Sequence, residues 1–426
     1  MLNKATVTGF KLASGFSRKN NCNFESNKIF ILQPVENKSS TNYKVSACGG
    51  FEIVQLDIVD QEELLEKNLQ LLDYVQKSSQ VKILLALKGF AMWSTFELCK
   101  KYLHGCCASG LNEALLAKDE FGKEVHTYSP AFKEEEFGLI VQLSNHVVFN
   151  SFNQWNKFKT QAIGQTSCGL RINPQYSSVD VDLYNPCGVH SRLGITKVEF
   201  DKHISDEGFL EGIDGFHFHA LCEQNVDALQ GALSAFEEKF SAYLPNLKWV
   251  NFGGGHHITR EDYDVEGLIA LLKAFKLRYP NLEVYLEPGE AVGWQTGYLE
   301  TTVLDIVHNE IDIAILDTSA EAHMPDTLAM PYRADIRGAD APDIKAHTYR
   351  LAGNTCLAGD IIGDYSFDQP LKVGDKIILE DMIHYTMVKT TTFNGINLPA
   401  IVIKKKDGGY QLVNKFGYNN YKNRLS

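Results

Sequence analysis

Between residues 81 and 287 the chain repeats one pattern eight times, a short apolar run followed by an amphipathic stretch at helical spacing. The apolar runs fall at 81–88, 105–108, 124–129, 146–150, 167–172, 213–220, 248–253 and 283–287. Their length and near-continuous apolar character suit strands buried on both faces of a parallel sheet. Helices are expected before and between them, over 60–77, 94–104, 112–121, 134–143, 152–160, 197–204, 225–243 and 263–278. Asp60 with Glu63 reads as a capping box, and Leu64, Leu65, Leu69, Leu72 and Val75 share the apolar side of the helix it opens. Gly105 reads as the stop of the next helix. The loop from about 173 to 196 is rich in Asn, Pro and Gly and too long for a plain connector, so it is expected to serve function.

Strand–helix alternation of this kind gives a parallel sheet covered by helices. An open, doubly wound sheet is the competing arrangement, but eight units in this span fit a closed (β/α)8 barrel of about 250 residues better. Past residue 300 the pattern changes to strands, at 301–307, 311–316, 376–380 and 387–391. The expected fold is therefore α/β, a (β/α)8 barrel plus a C-terminal mostly β domain. Its divisions are an N-terminal extension (1–50), the barrel (51–300) and the β domain (301–426).

The net charge of −12 disfavours nucleic acid as a partner and suits a cationic small molecule. No run approaches the roughly 18 apolar residues of a membrane span, so no membrane partner is expected. The nine cysteines form no CxxC pair, which fits reduced, intracellular usage without a metal motif. Residues 1–24 contain no acid, with Lys4, Lys11, Arg18 and Lys19 among Ser, Thr and Asn. They read as a disordered extension or a weak organelle-targeting peptide on an otherwise cytoplasmic protein.

In a parallel barrel, chemistry sits at the C-terminal strand ends, and four unusual features fall there. Lys88 closes the first run. An apolar setting lowers the pKa of a lysine and leaves its amine free to form a Schiff base with pyridoxal 5'-phosphate (PLP). The plain alternative is a lysine leaving its strand for water. Gly253, Gly254 and Gly255 close the seventh run, where bare backbone N–H groups can approach a phosphate. Taken alone they are a tight turn. His219 closes the sixth run and would stack on a cofactor ring. His217, on the same face by period two, reads as a hydrogen-bonded core histidine. Glu287 closes the eighth, a carboxylate suited to keeping a pyridine nitrogen protonated. Alone, it is an acid before a proline turn.

Long stretches carry a further signal: LLALKGFA (84–91), HTYSPAFKEEE (126–136), YNPCG (184–188), SRLGI (191–195), HFHALCE (217–223), KWVNFGGGHHIT (248–259), YLEPGEAVGWQTG (285–297), LDTSAEAHMPDT (316–327), GNTCLAGD (353–360) and IHYTMVKTTTFNG (383–395). From about residue 60 onward the chain resembles the alanine-racemase-type PLP decarboxylases, which include the ornithine and diaminopimelate decarboxylases. Within them it resembles the carboxynorspermidine/carboxyspermidine decarboxylase family.

The resemblance implies PLP on Lys88, with His219 stacking on the ring and Glu287 holding its nitrogen. Arg171 would lie near the ring. Gly253 to Gly255, Gly289, Glu290 and Tyr385 would hold the phosphate. It also implies a homodimer with shared active sites, Cys356 protonating the product from the partner subunit. Two departures stand out. Glu290 occupies a position where related basic amino acid decarboxylases carry arginine, and Phe51 to Val59 lacks the proline of the family's opening strand.

The implied reaction releases CO2 from carboxynorspermidine or carboxyspermidine, giving norspermidine or spermidine. Two distal ammonium groups then need acceptors, and Glu223, Asp317, Glu321, His323, Asp326 and Asp360 are the candidates. A diaminopimelate or ornithine-type decarboxylase, a non-catalytic PLP carrier and a racemase are the other readings. Diaminopimelate requires a site for a distal carboxylate, which the acid-rich 321–326 segment does not suit. A carrier would lack the β domain, and a racemase needs a second, opposing base.

Overall fold

The computed structural model describes residues 29–32, 44–45, 51–52 and 61–426, with 207 and 331 excepted. It divides into two units. In the first, residues 1–27 and 37–57, the described part is an antiparallel pair of Lys44–Val45 with Phe51–Glu52. The second holds residues 28–36 and 58–426. Asp60, the expected cap, lies outside the described residues, as do the targeting candidates of residues 1–24 and residues 53–59 of the expected opening strand.

Eight parallel strands close on themselves: β1 (Lys82–Ala86), β2 (Gly105–Ala108), β3 (Glu124–Tyr128), β4 (His146–Phe149), β5 (Ser167–Arg171), β6 (Ile213–His217), β7 (Trp249–Asn251) and β8 (Glu283–Leu286). The barrel matches the expectation strand for strand, each strand ending one to three residues before the apolar run does, except β2. Period-3.6 patterning explains the outer ring. On the helix Gln61–Ser79, Leu65, Leu69, Leu72 and Val75 are fully buried, while Leu64 sits off the stripe half-exposed. Each buried side chain contributes about 1.5–3 kcal/mol before conformational entropy is counted.

Inside the barrel the rings of Trp249 and Tyr285 pack with Leu84 and Val148. Trp249 lies across β5 and β6, where a Cβ on Gly169 or Gly215 would fall 2.3 and 2.0 Å from its ring. Gly105 is not a helix stop. The preceding helix ends at Tyr102, and Gly105 opens β2 against the Glu124 carbonyl, 2.1 Å from where a Cβ would stand.

The C-terminal sheet runs in the order Ala339–Asp340, Ile361–Phe367, His347–Ala352, Ile311–Leu316, Gly297–Asn309, Ile29–Leu32, Ala400–Lys404, Tyr410–Asn414, with Lys376–Glu380 also on Gly297–Asn309. One expectation is corrected. Residues 387–391 are not a strand, because Tyr385–Val388 forms a short helix turned toward the barrel mouth. The sheet also takes in Ile29–Leu32, antiparallel to Gly297–Asn309 and parallel to Ala400–Lys404. No helix among the described residues is long and apolar enough to cross a membrane.

Candidate active site

A cavity of about 1150 Å³ opens at the C-terminal ends of the barrel strands. Its walls include Lys88, Arg171, His219, Glu223, Gly255, Glu287, Gly289, Glu290 and Tyr385. The loop 175–193 forms one side, so the long connector does line the site.

Lys88 stands two residues beyond β1. It lines the cavity and is exposed there. Burial is the first cause that lowers its pKa, and the Arg171 guanidinium the second. Both favour the neutral, nucleophilic amine. Arg171 is buried with its guanidinium 4.5 Å from the centre of the Tyr128 ring.

Burial alone would raise the Glu287 carboxyl. The charge and hydrogen bond of His217, the charge of His126 and the Asn251 amide outweigh it and bring the pKa to about 2. Asn251 Nδ2 donates to Glu287 Oε1 at 2.7 Å, and His217 Nε2 lies 3.3 Å from Oε2. His217 is buried as expected, but its partner is the functional carboxylate. Asn251, at the end of β7, has no signal in the sequence beyond its place before the glycines.

Burial, then the charges of Lys88 and Arg171, hold His219 well below the usual histidine range. Its Nδ1 accepts the Gly254 N–H at 2.8 Å, so the neutral ring carries its proton on Nε2.

The glycines behave differently from the phosphate reading. The Gly253 N–H donates to Asn251 Oδ1 and the Gly254 N–H to His219 Nδ1, so neither points into the cavity. All three are glycine because the loops after β6 and β8 press on them. A Cβ would meet the Phe218, Glu287 and Leu221 carbonyl oxygens at 2.5, 2.3 and 2.1 Å. Gly255, Gly289 and Ala291 supply the cavity-facing backbone instead.

Beside that backbone sits a cluster the sequence hinted at only in GGGHH and IHY. Glu290 lies 3.6 Å from His257 Nε2 and 3.7 Å from His384 Nδ1, and His384 Nε2 is 3.1 Å from Asp381. Burial raises the Glu223 carboxyl and the charge of Glu290 raises it further. Burial would raise Glu290 too, but the close approach of His257 and the charge of His384 lower it. The wall therefore presents two carboxylates that repel one another. Tyr385 is raised by burial and by Glu290, so its hydroxyl stays a donor.

Other expected residues are not brought here. Asp317 is buried under the sheet, where Oδ1 accepts from Thr301 Oγ1 and the Thr302 N–H. Asp360 accepts from the Ala320 and Glu321 N–H groups with one oxygen and from Thr355 with the other, capping a short helix. His323 bridges Thr318 Oγ1 and the Asn397 carbonyl. Glu321 lies on that same short helix and does not line the cavity. Asp326 reaches the rim indirectly, bonded to Lys389 and to the cavity residue Tyr184. Cys356 is exposed outside the cavity, its N–H donating to Asn394 Oδ1.

The residues present fit PLP: a lysine amine, an ionised carboxylate, a neutral imidazole and glycine backbone line one cavity. The family described as pyridoxal-dependent decarboxylase, C-terminal sheet domain, matches residues 30–383. The chain belongs to the pyridoxal-dependent decarboxylases. A carboxynorspermidine/carboxyspermidine decarboxylase of Campylobacter jejuni is 51% identical over 372 residues, 85% of this chain and 96% of its own. A carboxyaminopropylagmatine decarboxylase of Synechocystis is 47% identical over 368 residues, 86% of this chain and 94% of its own. The crystal structure of carboxynorspermidine decarboxylase from Campylobacter jejuni, complexed with norspermidine, superimposes with a TM-score of 0.79 at 50% identity, covering 85% of this chain and 97% of that one. This decarboxylase thus shares fold and sequence with enzymes acting on carboxylated polyamines.

Proposed function

We propose that this decarboxylase removes CO2 from carboxynorspermidine or carboxyspermidine, yielding norspermidine or spermidine for polyamine biosynthesis, in the cytoplasm. The observation that carries the reading is the paired carboxylate wall of Glu223 and Glu290, on the same cavity as Lys88 and Glu287. A distal ammonium group relieves the repulsion between the two acids. The distal carboxylate of diaminopimelate would add to it.

PLP bound here supplies an electron sink for the bond between Cα and the carboxylate. Lys88 offers the amine that holds it. Glu287, held ionised, would pair with the ring nitrogen. His219 would offer its neutral ring to the cofactor, and Arg171 would add positive charge beside it. Gly255, Gly289 and Tyr385 would hold the phosphate. Glu223 and Glu290 orient the substrate tail, with Asp326 at the rim. Cys356 protonates Cα in the partner subunit's cavity of a homodimer, which accounts for its exposure in a single chain. A carboxylated substrate ending in guanidinium is the second reading, favoured by the Synechocystis relative.

The test is mass-spectrometric product analysis. Purified protein with PLP receives carboxynorspermidine, carboxyspermidine, carboxyaminopropylagmatine, diaminopimelate and ornithine in parallel, with Lys88→Ala as control. Triamine formed from the first two and absent in the control supports the proposal. Turnover of diaminopimelate or ornithine alone overturns the substrate, and a guanidino product alone selects the second reading.

A further inference from the structure

The opposite, N-terminal end of the barrel carries a cluster of metal-ligating side chains that decarboxylation does not use. Glu124 opens β3 and His126 follows it on the same face by period two. His146 opens β4, directly paired with His126 in the strand register. One ligand atom from each residue lies within 4.8 Å of the others. His126 Nε2 is 2.7 Å and His146 Nε2 3.6 Å from Glu124 Oε1. Both histidines are buried, and Nδ1 of each has no hydrogen-bond partner. Buried imidazoles left half-satisfied are a cost that an apolar barrel floor would avoid. His104, partly exposed at the edge, reaches Glu124 Oε2 at 2.6 Å and links the cluster to solvent.

We propose that Glu124, His126 and His146 bind one divalent transition-metal ion of the zinc or nickel kind at the floor of the barrel. Two imidazoles and a carboxylate with one position open are a zinc donor set, and imidazole also suits nickel and copper. Tetrahedral bonds of about 2.0–2.1 Å place ligand atoms about 3.3 Å apart. The 3.6 Å separation already fits, and the 2.7 Å one opens as the ion displaces the Nε2–H···O bond. Each imidazole then carries its proton on Nδ1. The rings stack at 3.9 Å and 22°, so coordination turns them apart. That movement, the Lys82 ammonium 3.9 Å from Glu124 Oε2 and the lack of acceptors for Nδ1 place the affinity below that of a structural zinc site.

The experiment is isothermal titration of zinc sulfate into chelator-treated, PLP-loaded full chain, with the bound ion counted by elemental analysis. One ion per chain is expected. Glu124→Gln and His146→Gln should each weaken binding at least tenfold, and the exposed control His308→Ala should not. Absence of stoichiometric zinc on the wild type, or its retention in both variants, overturns the proposal. If a variant fails to fold, X-ray absorption of the zinc-loaded wild type decides. Two imidazoles with oxygen donors support the site, and sulfur donors or a single imidazole overturn it.

Discussion

Glu290→Gln keeps the size of the side chain and removes one negative charge from the cavity wall. Glu290 is held by His257 and His384 at 3.6 and 3.7 Å, and its charge helps to raise the Glu223 carboxyl. If the wall binds an ammonium group of the substrate tail, the variant loses a charge-assisted hydrogen bond of about 1.5–3 kcal/mol. At about 1.4 kcal/mol per decade that is roughly 10- to 100-fold in affinity, with the lower end expected because glutamine keeps an acceptor. The tail does not react, so it is held equally in ground and transition states. The loss therefore falls on KM, with kcat nearly unchanged. PLP affinity should hold or tighten, since a carboxylate beside a phosphate dianion is repulsive. Steady-state kinetics with carboxynorspermidine and a parallel absorbance titration of PLP read both quantities. A fall in PLP affinity with KM unmoved would refute the reasoning and return Glu290 to the cofactor.

Three more perturbations follow from the geometry. Glu287 drops from an ordinary 4.5 to about 2 on folding, so its stabilising contribution is present above about pH 4.5 and lost as pH falls toward 2. That amounts to about 3 kcal/mol. Urea unfolding should show the stability gap between wild type and Glu287→Gln closing with acidification, and a constant gap would contradict the assignment. Gly215→Ala places a Cβ 2.0 Å from the buried Trp249 ring and should cost about 3 kcal/mol or more, whereas Gly138→Ala, in an open helical position, should gain about 0.5–1 kcal/mol. Opposite shifts in melting temperature check the pair. Mixing inactive Lys88→Ala with inactive Cys356→Ala should restore about a quarter of the sites if each cavity draws Cys356 from its partner. No recovery would place Cys356 outside the reaction.

The barrel was legible because each strand is a near-continuous apolar run and each helix shows its stripe, both local signals. The C-terminal sheet was less so. Ile29–Leu32 lies in a polar, N-terminal stretch yet pairs with residues near 300 and 400, and no local pattern marks a partner that distant. The 387–391 segment has strand-like residues, but its place at the cavity mouth makes it a turn of helix. The candidate site divided on a different principle. Lys88, His219 and Glu287 line the cavity together because a strand end in a barrel has one destination. The substrate acids were chosen by proximity in sequence to a strand end, and proximity does not distinguish an acid with free lone pairs from one already used. Asp360 spends both oxygens on backbone N–H groups and Thr355 and has nothing left for a ligand. Glu290 has only histidines at 3.6 and 3.7 Å and a second carboxylate for company. Counting hydrogen bonds separates these two acids, and that count becomes visible only in the folded chain.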